Sequence, residues 1–170
     1  NSPRSVTFAG DTDALQELAT LLKGMQVFNR LLDGRVPYHS HHMDPIRDEL
    51  LESLTGIVPQ QAALPFYSVV SGERVDGREV DGQYWWRNVR EPVRFETAVE
   101  LMIADGVDAW IEMAPHPVMA RSVVEIHSER QTAAGPVVAS LRRDAPERIT
   151  MLAAAATMYT LGARLDWRQV

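Results

Sequence analysis

Residues 5–32 read SVTFAGDTDALQELATLLKGMQVFNRLL, and their patterning decides the fold class. Residues 5–9 are a short run rich in β-branched and aromatic side chains, which predicts a buried strand. Asp11 and Asp13 then cap a helix that sets Ala14, Leu18, Leu21 and Leu22 on one face and stops at Gly24. Residues 27–32 return as a second apolar strand. Strand, helix and strand within about 30 residues make a β-α-β unit, the repeat from which α/β folds are built.

The alternation continues downstream. The loop Gly34-Arg35-Val36-Pro37-Tyr38-His39-Ser40-His41-His42 has an extended lead-in, because Val36 precedes a proline. Asp44 and Pro45 predict a helix start in which the aspartate caps and the proline takes the first helical position. Ile46, Leu50, Leu51 and Leu54 line its buried face, and Gly56 ends it. Residues 66–70 predict a strand, Ser71-Gly72 a turn, and residues 77–82 polar surface. Tyr84-Trp85-Trp86 is a dense aromatic cluster ahead of Pro92. Phe95, Val99 and Met102 predict a helix over 95–104, closed by Gly106. A strand over 109–113, a helix carrying Val118, Val123 and Ile126, and a strand over 136–141 follow. The last helix, over 146–161, is rich in alanine and stops at Gly162. The fold class is α/β.

Composition narrows the function. A chain of 170 residues is one domain or a large piece of one. With 45% hydrophobic and 24% charged residues it can bury a core. It has no apolar run long enough to span a membrane and no basic-then-apolar leader. Zero cysteines exclude disulfides, thiolate zinc sites and cysteine nucleophiles, in keeping with a cytoplasmic protein. A net charge of −6 and a pI near 5.3 argue against a nucleic-acid surface. Lys23 is the sole lysine beside many arginines, which fits a GC-rich coding background or a need for planar forks that grip phosphate or carboxylate. Asn1 opens the chain without an initiator methionine, beside an apolar run, so a piece of something longer is expected.

Chemistry could sit first in the histidines. His39, His41 and His42 share one loop, with His116 and His127 elsewhere. Three readings stay open from these residues: a solvated loop, a metal site completed by a carboxylate, or a single catalytic base. His-x-His-His with no downstream His or Glu at fixed spacing is a weak metal signal. No Gly-x-Ser-x-Gly elbow occurs, since Ser40, Ser68, Ser71 and Ser122 all lack flanking glycines; any serine nucleophile lies outside these residues. No phosphate-binding glycine loop occurs either. Trp85 and Trp86 read as core anchors at a strand–helix junction, His116 as structural, and Arg87, Arg90 and Arg94 as a solvated face.

Five landmarks then fall in one order. They are Asn1-Ser2-Pro3-Arg4-Ser5-Val6, Tyr38-His39-Ser40-His41-His42-Met43-Asp44-Pro45, Tyr84-Trp85-Trp86-Arg87-Asn88-Val89-Arg90-Glu91-Pro92-Val93-Arg94-Phe95, Glu112-Met113-Ala114-Pro115-His116-Pro117-Val118 and Ser140-Leu141-Arg142-Arg143-Asp144. In this the chain resembles the C-terminal portion of the acyltransferase domains of modular polyketide synthases, and is similar to malonyl-CoA:acyl-carrier-protein transacylases. The resemblance implies an α/β-hydrolase-like large subdomain with an inserted ferredoxin-like small subdomain. Residues 1–35 would be the last β-α-β part of the insertion, 36–162 the C-terminal part of the large subdomain, and 163–170, with Leu165-Asp166-Trp167, the start of the linker that leaves it.

The resemblance also implies a mechanism. A serine in a Gly-His-Ser-x-Gly elbow attacks an acyl-CoA thioester, and the acyl group passes to the phosphopantetheine thiol of a partner acyl carrier protein. His39 matches the general base. In the family a backbone carbonyl orients that imidazole, and the matching position is read as Asn88. No metal and no bound cofactor is implied in this chain. The serine, the arginine that pairs with the extender carboxylate and the oxyanion hole belong to the missing N-terminal half, and the neighbouring synthase domains are further partners. Methylmalonyl-selective members read Tyr-Ala-Ser-His up to the base and malonyl-selective ones His-Ala-Phe-His. Val36-Pro37-Tyr38-His39 departs from both, and the bulk of Tyr38 leans the reading to malonyl, with methylmalonyl the alternative. The competing functions are an inert segment and a non-catalytic module that docks a carrier protein through Arg87 and Arg90. Apolar surface should stand exposed on the isolated piece.

Overall fold

The structure, a computed structural model, describes residues 1–34 and 36–168. Arg35, Gln169 and Val170 lie outside the described residues, and with them the expected boundary at 35 and the end of the expected linker. The chain divides into two compact units, Val6–Arg94 and Asn1–Ser5 with Phe95–Val170.

In the unit of residues 6–94, helix α1 spans Thr12–Gly24 with Asp11 at its N-cap. Leu15, Leu18, Ala19 and Leu22 are its half-buried positions, while Ala14 and Leu21 are exposed, so the apolar face is rotated from the expected one. Neither flanking strand forms. Ser5 makes only an isolated bridge to Ser2, and residues 27–32 lie in no helix or strand. Strand propensity describes a fit to a neighbouring ladder, and the apolar pattern cannot supply that neighbour.

Beyond the loop, Ser40 caps a 3₁₀ helix over His41–Ile46, its Oγ accepting from the His42 N–H. Asp44 and Pro45, expected to open the helix, therefore sit inside that turn, and α2 (Arg47–Ser53) follows at once. The strand expected over 66–70 shortens to β1, Phe66–Tyr67, paired antiparallel with β2, Arg74–Val75. The turn between them is held by Ser68, whose buried Oγ accepts from the Val70 and Ser71 N–H groups and meets the Tyr84 hydroxyl at 3.0 Å. Helix α3 runs over Gly82–Arg90, its start fixed by the Asp81 carboxylate accepting from the Tyr84 N–H. Tyr84 and Trp86 are buried and Trp85 is exposed, so the aromatic cluster lies within a helix and not at a strand–helix junction. Helices α2 and α3 pack on each other and on the 3₁₀ turn.

The second unit holds α4 (Phe95–Ala104), β3 (Trp110–Glu112), α5 (Ala120–Glu129), β4 (Val137–Ala139) and α6 (Glu147–Thr160). Strands β3 and β4 pair in parallel, Ile111 opposite Val138, with α5 as the crossover, so a β-α-β unit exists here. Val99, Val123 and Ile126 form its core, joined by Phe95, Ile103, Trp110 and Val137. The Glu112 carboxylate accepts from the N–H groups of Val118, Met119 and Ala120 and so caps the start of α5. His127 is buried with both ring nitrogens used: Trp110 Nε1–H donates to Nε2, and Nδ1 faces the Thr132 hydroxyl. His116 Nδ1 accepts from the Arg143 N–H, a structural role as expected. The Ser2 hydroxyl donates to Glu125, and with Arg121 it holds that carboxyl below its usual range.

Candidate active site

The site grows from the end of α3. A helix leaves its last carbonyls without partners. Glu91 takes the extended conformation usual before proline. His39 uses two of these freed oxygens. Its backbone N–H donates to Val89 O at 2.9 Å, and its Nδ1–H donates to Glu91 O at 2.9 Å. The oxygen that meets Nδ1 is therefore that of Glu91, and not that of Asn88, which sits half-buried inside α3. Asn88 lies inside the last helical turn, while Glu91 lies past it in extended conformation, and it is the Glu91 oxygen that meets the ring.

A carbonyl can only accept, so this contact assigns the proton to Nδ1 and leaves Nε2 as a lone-pair acceptor. His39 itself has φ of +63°, a left-handed conformation uncommon outside glycine. Such a conformation persists where its surroundings over-determine it, and the two carbonyl contacts do so here. Between them in sequence, Arg90 donates from Nε to Asp44 Oδ1 at 2.6 Å. Residues 89, 90 and 91 thus each fasten the histidine segment, through its backbone, its following turn and its ring.

Around the base, the Tyr38 ring lies 6.3 Å from the imidazole, tilted by 46°, and is half exposed. Val36 is also exposed, and Pro37 O accepts from the Ser40 hydroxyl at 2.7 Å, which closes the loop on itself. Arg90 is committed to Asp44, and the Arg87 guanidinium lies over the Tyr84 ring at 5.9 Å. The pair suggested for docking is thus half used inside the chain. Sequence reasoning missed Glu91, and read Asp44 as a helix cap and Arg90 as a solvated or docking cation without seeing that they pair; the Glu-Pro step after the helix was the available signal for the first.

An exposed histidine held by main-chain oxygens at a helix end keeps Nε2 available to exchange a proton. Residues 1–164 match the acyl transferase domain family. The polyketide synthase GfsB of Streptomyces halstedii is 40% identical over 170 residues, covering 98% of this chain and 3% of that protein. The erythronolide synthase EryA2 of Saccharopolyspora erythraea is 37% identical over 168 residues, covering 98% of this chain and 5% of that protein. The acyltransferase domain from module 8 of the salinomycin polyketide synthase superposes with a TM-score of 0.86 at 36% identity, covering 94% of this chain and 37% of that one. This chain belongs to the acyl transferase domain family, and spans a minor part of the length of each of these relatives.

Proposed function

We propose that this chain supplies the histidine half of an acyltransferase active site. The observation that carries the reading is the Nδ1–H contact of His39 to the Glu91 carbonyl, which leaves Nε2 free to accept a proton. A serine on a segment outside these residues gives its hydroxyl proton to Nε2 as its oxygen attacks the thioester carbonyl of an acyl-CoA. The C–S bond breaks, the CoA sulfur takes the proton back from the imidazolium, and an acyl-serine ester remains. The phosphopantetheine thiol of an acyl carrier protein then gives its proton to Nε2 and attacks that ester. The serine oxygen leaves and recovers a proton from the imidazolium. No metal takes part in these steps.

Malonyl is the extender that this reading favours. In this reading the Tyr38 ring, 6.3 Å from the imidazole, crowds an α-methyl branch, and one methyl is worth about 1–3 kcal/mol of discrimination. Residues 1–35 belong, in this reading, to an inserted ferredoxin-like subdomain, 36–162 to an α/β-hydrolase-like subdomain and 163–170 to the linker beyond it. The setting is a multidomain synthase in the cytoplasm. No helix among the described residues is long and apolar enough to cross a membrane.

The test is transfer from an equimolar mixture of malonyl- and methylmalonyl-CoA to holo acyl carrier protein, by the polypeptide that joins this chain to its upstream segment. Preferential malonyl loading is expected. A clear preference for methylmalonyl overturns the substrate reading, and no loading from any acyl-CoA overturns the catalytic one in favour of an inert or docking segment.

A further inference from the structure

The sequence offered adjacent histidines with no carboxylate at metal-binding spacing, and the fold brings one to them from far upstream. Asp11, at the N-cap of α1, meets the 3₁₀ turn that carries His41 and His42. His42 Nε2 lies 2.8 Å from Asp11 Oδ1, and His41 Nε2 lies 4.0 Å from Asp11 Oδ2. The two imidazoles stand face to face, with centroids 4.1 Å apart and planes tilted by 34°. One donor atom from each of the three side chains lies within 4.8 Å of the others. The donors of a tetrahedral ion with bonds of about 2.0–2.1 Å stand about 3.4 Å apart, so a small rotation of exposed side chains closes the set.

Asp11 is also unusual in its own helix. An N-cap aspartate ordinarily accepts from the first turn, yet this carboxylate makes no such bond and faces the histidines instead. Its main chain is fixed, since Asp11 O accepts from the Leu15 N–H, so the carboxylate projects from a rigid helix start. Ser40 fixes the other side by capping the turn at His42 N. His39 is not among the three residues whose donor atoms gather here.

We infer that Asp11, His41 and His42 form a binding site for one divalent first-row transition ion of the Zn²⁺, Ni²⁺ or Cu²⁺ kind, with water in the remaining positions. Two imidazoles and one carboxylate suit these ions and not Mg²⁺ or Ca²⁺, which take oxygen ligands. A bound ion would tie the start of α1 to the turn that follows the base. This inference does not depend on the acyl-transfer reading.

The test is calorimetric titration with Zn²⁺ of the polypeptide that contains this chain, with Cu²⁺ paramagnetic resonance as a second readout. One saturable equivalent is expected. Loss of an outer-sphere partner already weakens metal affinity by about 10–100-fold, so Asp11→Asn and His41→Ala should each weaken it at least about tenfold. His39→Ala and His116→Ala should leave it unchanged. The Cu²⁺ spectrum should show coupling to two imidazole nitrogens, falling to one in His42→Ala. Absence of saturable binding, binding unaltered in Asp11→Asn and His41→Ala, or a Cu²⁺ spectrum without two nitrogens overturns the inference.

Discussion

His39 is held by main-chain atoms on both sides, which separates what its neighbours' side chains do from what their carbonyls do. The Glu91 oxygen that accepts from Nδ1 belongs to the backbone, so Glu91→Ala should retain acyl-transfer activity close to the parent, measured as loading of holo acyl carrier protein. A collapse of activity in that variant would mean that the carboxylate, and not the carbonyl, orients the ring. The histidine was legible because its loop carries a motif, whereas its partner was assigned one helical turn too early. The heptapeptide Asn88-Val89-Arg90-Glu91-Pro92-Val93-Arg94 does not announce which carbonyl is free until the helix end is known. Asp11 was legible as a cap but not as a neighbour of His42, because a pairing across 31 positions leaves no local periodicity to read.

At the scale of elements, α4, α5 and α6 were readable from spacing and from their flanking Gly and Pro, and α4 falls on the expected residues. Helix α3 was not read, because the polar, glycine-containing run before it hides the Asp81 cap. The strands were over-read for a common reason: apolar runs mark what could be buried, and only a partner makes a strand. The clamp between α3 and the 3₁₀ turn gives a testable consequence. An exposed ion pair contributes about 0–1 kcal/mol, so Arg90→Ala or Asp44→Ala should barely lower the melting temperature. Both should nevertheless lower kcat for loading more than they raise KM, since the clamp holds the turn beside the base. The double exchange Asp44→Arg with Arg90→Asp should recover part of the loss, and no recovery would count against a positioning role. In the other unit, Glu125 is held down first by the Ser2 hydroxyl and then by Arg121. A lowered carboxyl contributes stability that is present above its unfolded value, about 4.3, and is lost as pH falls through the lower folded value. Ser2→Ala should therefore lower the melting temperature at neutral pH and lose that difference once acid has protonated the carboxyl in the folded protein. A difference that persists unchanged at low pH would contradict the assignment.

Across the whole molecule, large apolar side chains stand exposed in the unit of residues 6–94. Phe8, Met25, Val27, Phe28, Leu31 and Leu32 all stand exposed, with Phe28 at 93%. Exposed apolar surface on this scale, where it is contiguous, marks an interface or a route to association. The isolated 170-residue chain is therefore expected to associate and to bind a hydrophobic dye, as read by light scattering and fluorescence. A monodisperse product with a cooperative melt would contradict this. The most direct test of the central claim, that His39 is the base of an acyltransferase, is intact mass spectrometry of the polypeptide that joins this chain to its upstream segment. The protein and its His39→Ala variant are each sampled during brief exposure to malonyl-CoA. A malonyl adduct on a serine, formed about a hundredfold or more slowly in the variant, is the predicted result. Equal rates of adduct formation in the two proteins would contradict it.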